Sequence, residues 1–223
     1  MTELINSRVA IVVINNHKYI PNYFFTSVIN LLVYTKKYFK NVDIVNISAY
    51  DVAIMRNIAC DMAVKSGFDF VFMCDVDMTY PNDSILRLYQ RHIYLENENS
   101  IIVGSARTRT PPHYPTQFKK FDHVPFGAEE NRVFADTNSN TLVKIEGTGL
   151  VGALIPVSIL RKIDKPYFQN IYKEDGGYEG EDINFAKKCK KNNIDIYLDP
   201  QVNYGHELIK TIDASGEHLV EPQ

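Results

Sequence analysis

The chain has 223 residues, 45% of them apolar and 23% charged, with a formal net charge of −3 at pH 7. Such a composition belongs to a globular protein with a sizeable core and excludes a fibrous or disordered chain. The weak acidity argues against nucleic acid as a partner, because gripping a phosphate backbone needs a strongly basic face.

In chain order, Arg8 to Asn15 reads as a buried strand, a β-branched run closed by two asparagines. Ile20, Phe24, Phe25, Val28, Leu31 and Leu32 then recur at helical spacing, with Pro21 placed for a first turn. Val42 to Ile47 is a second strand, and Ile54, Ile58, Met62 and Val64 mark a helix that Ser66-Gly67 stops. Phe68 to Cys74 is a third strand running straight into Asp75-Val76-Asp77. Asn82 or Asp83 is expected to cap a helix through Ile85, Leu88, Tyr89 and Ile93, and Ile101 to Gly104 is a fourth strand.

From 105 to 140 the chain is rich in Pro, Arg, His and Asn and shows no clear helix; a loop of that length inside a domain is more often functional than idle. Strands follow at Thr141–Glu146 and Val151–Ile155, then a short helix from Val157. A Gly-rich stretch opens a helix through Ile183, Phe185, Ala186 and Cys189, acidic at its start and lysine-rich at its end, as the helix dipole favours. A last strand, Ile194–Leu198, leads through Asp199-Pro200 to His206, and 208–223 reads as a polar tail. Strand alternating with helix predicts an α/β fold with a mostly parallel central sheet, helices on both faces, and one domain over 1–207.

Cys60, Cys74 and Cys189 form no CxxC pair, so buried thiols are expected rather than a disulfide framework. No apolar run approaches the ~20 residues of a membrane span, and the first residues lack the parts of a signal peptide. A cytoplasmic location follows as the expectation.

Ligands of such sheets bind beyond the carboxyl ends of the strands, where strand order reverses. Asn15-Asn16-His17, Ser48 to Tyr50 and Asp75-Val76-Asp77 all fall at such ends. In an extended chain alternate side chains share a face, so Asp75 and Asp77 are expected to point the same way. Two carboxylates that close repel unless a cation lies between them. Hard oxygen donors suit Mg²⁺ or Mn²⁺, which also accept phosphate oxygens.

Asp75-Val76-Asp77-Met78-Thr79 also fits the first motif of haloacid-dehalogenase-type phosphohydrolases, in which Asp75 would be the nucleophile. Those enzymes carry the motif on their first core strand, whereas two β-α units precede it here. A catalytically inactive sugar-nucleotide-binding domain is a further alternative.

From Arg56 onward, the chain resembles GT-A-fold glycosyltransferases, particularly small family-2-like members such as those of large algal viruses. The resemblance rests on Arg56-Asn57, SGFDFVFMCDVD, VGSARTRTPPHYP, EGTGLVGALIPVSILRKIDKPYF, GYEGEDINFAKKCKKNNIDIYLDP and VNYGH, in the family's order over most of residues 50 to 206. It implies a Rossmann-like GT-A domain that transfers a sugar from a nucleotide diphosphate sugar, UDP favoured, to a hydroxyl of a glycan or protein-linked acceptor. By the same resemblance Asp75, Asp77 and His206 would hold Mn²⁺ or Mg²⁺. Asn15, Ser48, Tyr50, Arg56, Asp75 and Val76 would contact the nucleotide. Thr148-Gly149 would let the donor sugar approach the backbone. Asp182 would take the acceptor's proton, with Glu181 beside it.

Overall fold

A computed structural model describes residues 4–16, 20–121, 128–174 and 176–207, together with the backbone of Lys210–Ile212 and His218–Val220. Strand β1 (Ile5–Asn15) and helix α1 (Asn22–Thr35) are followed by β2 (Phe39–Ser48), α2 (Val52–Ser66), β3 (Phe70–Asp75), β4 (Met78–Thr79), α3 (Ser84–Leu95) and β5 (Ser100–Ser105). Then come β6 (Gln117–Phe118), β7 (Val143–Ile145), β8 (Gly147–Thr148), β9 (Ala153–Pro156), α4 (Val157–Leu160), β10 (Ile171–Tyr172) and β11 (Tyr178–Glu179). Helix α5 (Glu181–Lys191), β12 (Asp195–Asn203), β13 (Gly205–His206), β14 (Lys210–Ile212) and β15 (His218–Val220) complete the order.

The central sheet has the order β2-β1-β3-β9-β5-β12-β7. β1 pairs in parallel with both β2 and β3, and β12 pairs in parallel with β5. β9 runs antiparallel between β3 and β5, and β7 runs antiparallel on the edge. The sheet is thus mostly parallel, with order reversing about β1, and the carboxyl end at such a reversal is where sheets of this kind bind their ligands.

Alternation along β1 explains why both faces are covered. Val9, Ile11 and Val13 enter one cluster with Phe24, Val28 and Leu31 of α1 and Ile85 and Leu88 of α3. Ala10, Val12 and Ile14 enter the other, with Met55, Ala59 and Cys60 of α2 and Phe185 and Cys189 of α5. A strand buried on both faces has no polar positions to spare, which is why β1 reads as a continuous apolar run. The three cysteines are free and buried, as expected.

Some expectations move. Pro21 is the N-cap of α1 rather than part of its first turn. Asp51 caps α2 by accepting the Ile54 N–H at 3.0 Å, and Gly67 closes that helix at φ 68°. β12 does not stop at Leu198 but runs through Pro200 to Asn203, with a break in its register to β5 that tolerates a residue lacking an N–H. The segment read as a polar tail contains the antiparallel pair β14–β15. Among the described residues no helix is long and apolar enough to cross a membrane.

Candidate functional site

The register of the parallel strands gathers the expected nucleotide positions. Asn15 lies opposite Ser48, and Ile14 opposite Asp75. Asn15 is buried, Ser48 is exposed, and the Tyr50 ring just beyond β2 is 90% exposed with its faces open. His17 lies outside the described residues.

Asp75 and Asp77 do not share a strand face as the pleat would have it. β3 ends at Asp75, and Val76 and Asp77 form a turn before β4. Val76 anchors that turn in the core, 2% exposed, so its place is structural rather than at a ligand surface. Tyr80 fixes the backbone: the Asp75 N–H donates to the Tyr80 hydroxyl at 2.8 Å. The two carboxylates leave the turn toward different partners.

Asp77 meets His206. β13 pairs antiparallel with β4, Gly205 opposite Thr79 and His206 opposite Met78, and the Glu207 N–H donates to the Asp77 carbonyl at 2.9 Å. A Cβ on Gly205 would collide with the Thr79 hydroxyl, so glycine is what lets the two short strands approach. His206 Nδ1 donates to the Arg107 carbonyl at 2.7 Å, and its Nε2 lies 3.3 Å from Asp77 Oδ2. Because a carbonyl only accepts, the proton sits on Nδ1, and in the neutral imidazole the Nε2 lone pair faces Asp77. Arg109 from the long loop adds a second contact to Asp77 Oδ2 at 3.3 Å. Burial would raise Asp77, but the His206 hydrogen bond and charge and then Arg109 outweigh it and hold the carboxyl below its usual range. Burial likewise pulls His206 down, and the bonds to Asp77 and the Arg107 carbonyl more than restore it, leaving it above its usual value.

Asp75 meets Arg56. This α2 arginine is 2% exposed, and its Nη2 lies 3.1 Å from Asp75 Oδ2 while Nη1 lies 2.9 Å from Glu181 Oε1. The other acids near α2 are engaged elsewhere, Asp51 as a helix cap and Asp61 with Lys165. Burial opposes the guanidinium charge, but Asp75, Glu181 and Asp182 together keep it firmly protonated. Arg56 therefore sits beneath the site, bridging acids, rather than facing outward toward a nucleotide. Next to it, the Asn57 amide exchanges bonds with the Phe168 backbone, and the Phe168 ring stacks on Phe185 of α5 at 4.5 Å. These contacts fix the start of α5.

Asp182 lies in the first turn of α5, two residues beyond the N-cap Gly180. Its Oδ1 accepts the Ile183 N–H at 2.7 Å. That bond favours the charged form, yet burial first, and Glu181 second, push the carboxyl up to about 6. Asp182 lines a cleft of about 570 Å³ with Gly149 facing it. A Cβ built on Gly149 would lie 3.9 Å from Asp182 Oδ2, so glycine keeps that approach open. Thr148, by contrast, is 1% exposed and paired with Gln117, so it offers no side chain to the cleft.

Of the expected metal ligands, the structure joins Asp77 and His206, while Asp75 is drawn off by Arg56. Among the described residues no three His, Cys, Asp or Glu side chains converge on one point. The expected three-ligand cage is corrected to a pair, because a buried guanidinium needs the Asp75 charge more than an open edge does. The pair still fits Mg²⁺ or Mn²⁺, which take few protein ligands and complete their shell with water and phosphate oxygens. The His206 ring is held through its other nitrogen, as metal-binding imidazoles are. The same tie to Arg56 makes Asp75 a poor nucleophile, and β3 is the third strand in chain order, so the phosphohydrolase motif lacks its setting. Sequence reasoning missed Tyr80 and Tyr204, whose rings pack at 5.1 Å and anchor both halves of the Asp77–His206 contact. Only their closeness to the acids and to His206 hinted at it.

This sheet order, with helices on both faces, makes the fold GT-A-like, a single Rossmann-like α/β domain. Among solved structures the chain is similar to the viral protein A197 from STIV, with a TM-score of 0.61 and 15% identity over 97% of this chain and 95% of that one. It is also similar to GalNAc-T7, solved with UDP, GalNAc and Mn²⁺, with a TM-score of 0.57 and 8% identity. That match covers 90% of this chain but 44% of GalNAc-T7, so the chain spans under half the larger protein's length. The sequence matches no protein-family model and no curated protein.

Proposed function

We propose that this protein is a metal-dependent glycosyltransferase that moves a sugar from a nucleoside diphosphate sugar, a UDP-sugar by preference, to a hydroxyl of a glycan or protein-linked acceptor. The observation that carries the reading is the approach of His206 Nε2 to within 3.3 Å of Asp77 at the carboxyl edge of the sheet. Nothing in the packing of a core requires an imidazole from β13 to meet an acid from the turn after β3. The GT-A-like fold and the neighbour holding UDP and Mn²⁺ support the same reading.

Asp77 and His206 are the residues to hold Mn²⁺ or Mg²⁺, which when bound would neutralise the charge that grows on the leaving diphosphate. Among the described residues Asp75, Asp77 and Glu181 have Arg56 and Arg109 as their permanently charged ion-pair partners, three acids on two cations, an imbalance a divalent ion would correct. Asn15 and Ser48 at adjacent strand ends, with the open Tyr50 ring, suit the nucleoside. Arg109 suits a phosphate once a cation has taken over Asp77. Asp75, held by Arg56, contacts the ribose rather than the metal.

In the transfer itself, the acceptor oxygen bonds to the anomeric carbon and its proton passes to Asp182 Oδ2. The anomeric C–O bond breaks, and its electron pair leaves on the diphosphate. A carboxyl poised near 6 is a suitable base at neutral pH. The direct test is thermal denaturation with UDP, GDP and dTDP, each with and without Mn²⁺, followed by assay of UDP-sugar turnover. Stabilisation by UDP that depends on Mn²⁺ supports the reading. Indifference to every nucleoside diphosphate would overturn it.

A further inference from the structure

The cleft that holds Asp182 has a composition of its own, and it bears on the acceptor. Its floor is aromatic and aliphatic, from Phe118, Phe121 and Ile183. At its rim the Tyr178 ring is 59% exposed and lies 5.3 Å from the Tyr172 ring, which is 79% exposed. The Tyr178 hydroxyl donates to Asn170 at 3.0 Å, so the ring is held by its polar end while a face stays open. Exposed, fixed aromatic faces beside a cleft bind apolar ring faces at little cost in entropy.

The charges in the cleft do not balance. Lys187 is paired with Glu179. Arg132 lies with its guanidinium 4.2 Å over the Phe118 ring and donates to the Pro115 carbonyl at 2.9 Å, but its buried Nε has no hydrogen-bond partner among the described residues. Lys173 also lines the cleft. Among the described residues neither Arg132 nor Lys173 has a carboxylate partner. With Asp182 ionised, the described lining of the cleft therefore carries one positive charge in excess.

We infer that the acceptor is an anionic amphiphile: a hydroxyl-bearing ring that lays an apolar face on Tyr178 and the aromatic floor and carries one carboxylate or phosphate toward Arg132 and Lys173. The inference rests on the transferase reading and deepens it. A neutral glycan would leave the excess charge unmet in a half-enclosed site, where opposite charges attract more strongly than in water. With one anionic group present, the hydroxyl reaches Asp182 while the anion occupies the far end.

The test is equilibrium binding in the presence of UDP and Mn²⁺, with three probes sharing one aryl group. These are 4-nitrophenyl glucoside, 4-nitrophenyl glucuronide and the 6-phosphate of 4-nitrophenyl glucoside. At least one anionic probe should bind roughly tenfold tighter than the neutral one, as a partly desolvated charge pair provides. Whichever anionic probe binds better identifies the anion. Lys173→Glu, a change at an exposed side chain, should erase that advantage. Tyr178→Ala should weaken all three several-fold. Equal affinity for the three probes, or no binding of any while UDP and Mn²⁺ still bind, would sink the inference and leave the transferase reading standing. Failure of UDP and Mn²⁺ to bind would sink the reading itself.

Discussion

Arg56 joins Asp75 to Glu181: one buried guanidinium reaches the acid that ends β3 at 3.1 Å and the acid that begins α5 at 2.9 Å. The carboxyl edge of the sheet and the first turn of α5 are thereby held at a fixed separation from beneath. In the proposed reaction these are the donor and acceptor sides.

Replacing Arg56 with Gln should leave two partly buried carboxylates facing each other without their cation. The expected cost is about 3 kcal/mol, the low end for breaking a buried ion pair, because both acids keep some contact with water. Urea unfolding measures it. A change below about 0.5 kcal/mol, the scatter of ordinary surface substitutions, would mean that the bridge carries no structural weight.

Asp77→Ala and His206→Ala should each abolish the Mn²⁺-dependent stabilisation by UDP. The unliganded protein should change by no more than about 1 kcal/mol, since the contact lies at a partly exposed edge. Retained stabilisation by UDP and Mn²⁺ in both variants would place the ion elsewhere. Adding EDTA to the parent protein should reproduce the loss.

Asp182 gives a pH dependence with a definite sign. Its folded-state carboxyl is raised to about 6, so transfer should rise with pH through that region and level off above it. Asp182→Asn should remove both the rate and the rise. Stability runs the other way: the folded state keeps the proton longer than the unfolded chain. The contribution of this group is full below the unfolded value of about 4 and is lost as pH climbs through the folded value. Comparing the urea midpoints of the parent and Asp182→Asn from pH 4 to 7 checks it. A constant difference between the two would contradict a raised carboxyl.

Gly152→Ala should be costly for two reasons at once. Its φ is +59°, and the new Cβ would stand inside the Tyr204 ring, whose hydroxyl donates to the Gly152 carbonyl at 2.8 Å. A loss of roughly 2 kcal/mol or more is expected, strain and overpacking combined. Gly176→Ala is the control: its φ is +82°, but among the described residues nothing lies within 4 Å of the added Cβ, so backbone strain is what applies. Equal losses in the two variants would remove Tyr204 from the account.

Much of this protein was legible along the chain. The apolar runs that became β1 and β3, the periodic faces of α1 and α3 and the charge order of α5 are local patterns, and hydrophobic burial enforces them without reference to distant residues. The same reading placed Asn15, Ser48 and Asp75 at strand ends, and parallel pairing then put them side by side.

Local pattern failed wherever a partner from elsewhere competed. Strand periodicity placed Asp75 and Asp77 on one face, but a turn intervened and Arg56 and His206 divided them. The resemblance sent Arg56 toward a ligand, while the acids that neutralise it lie on β3 and α5. For Asp182 the resemblance pointed to the residue, but its burial beside Glu181, which raises its carboxyl to about 6, came from the tertiary structure. Sequence fixes which groups a segment carries and which way its backbone repeats. Tertiary packing decides which charge meets which, because that pairing depends on distance and on exclusion of water, and neither is written in the order of the residues.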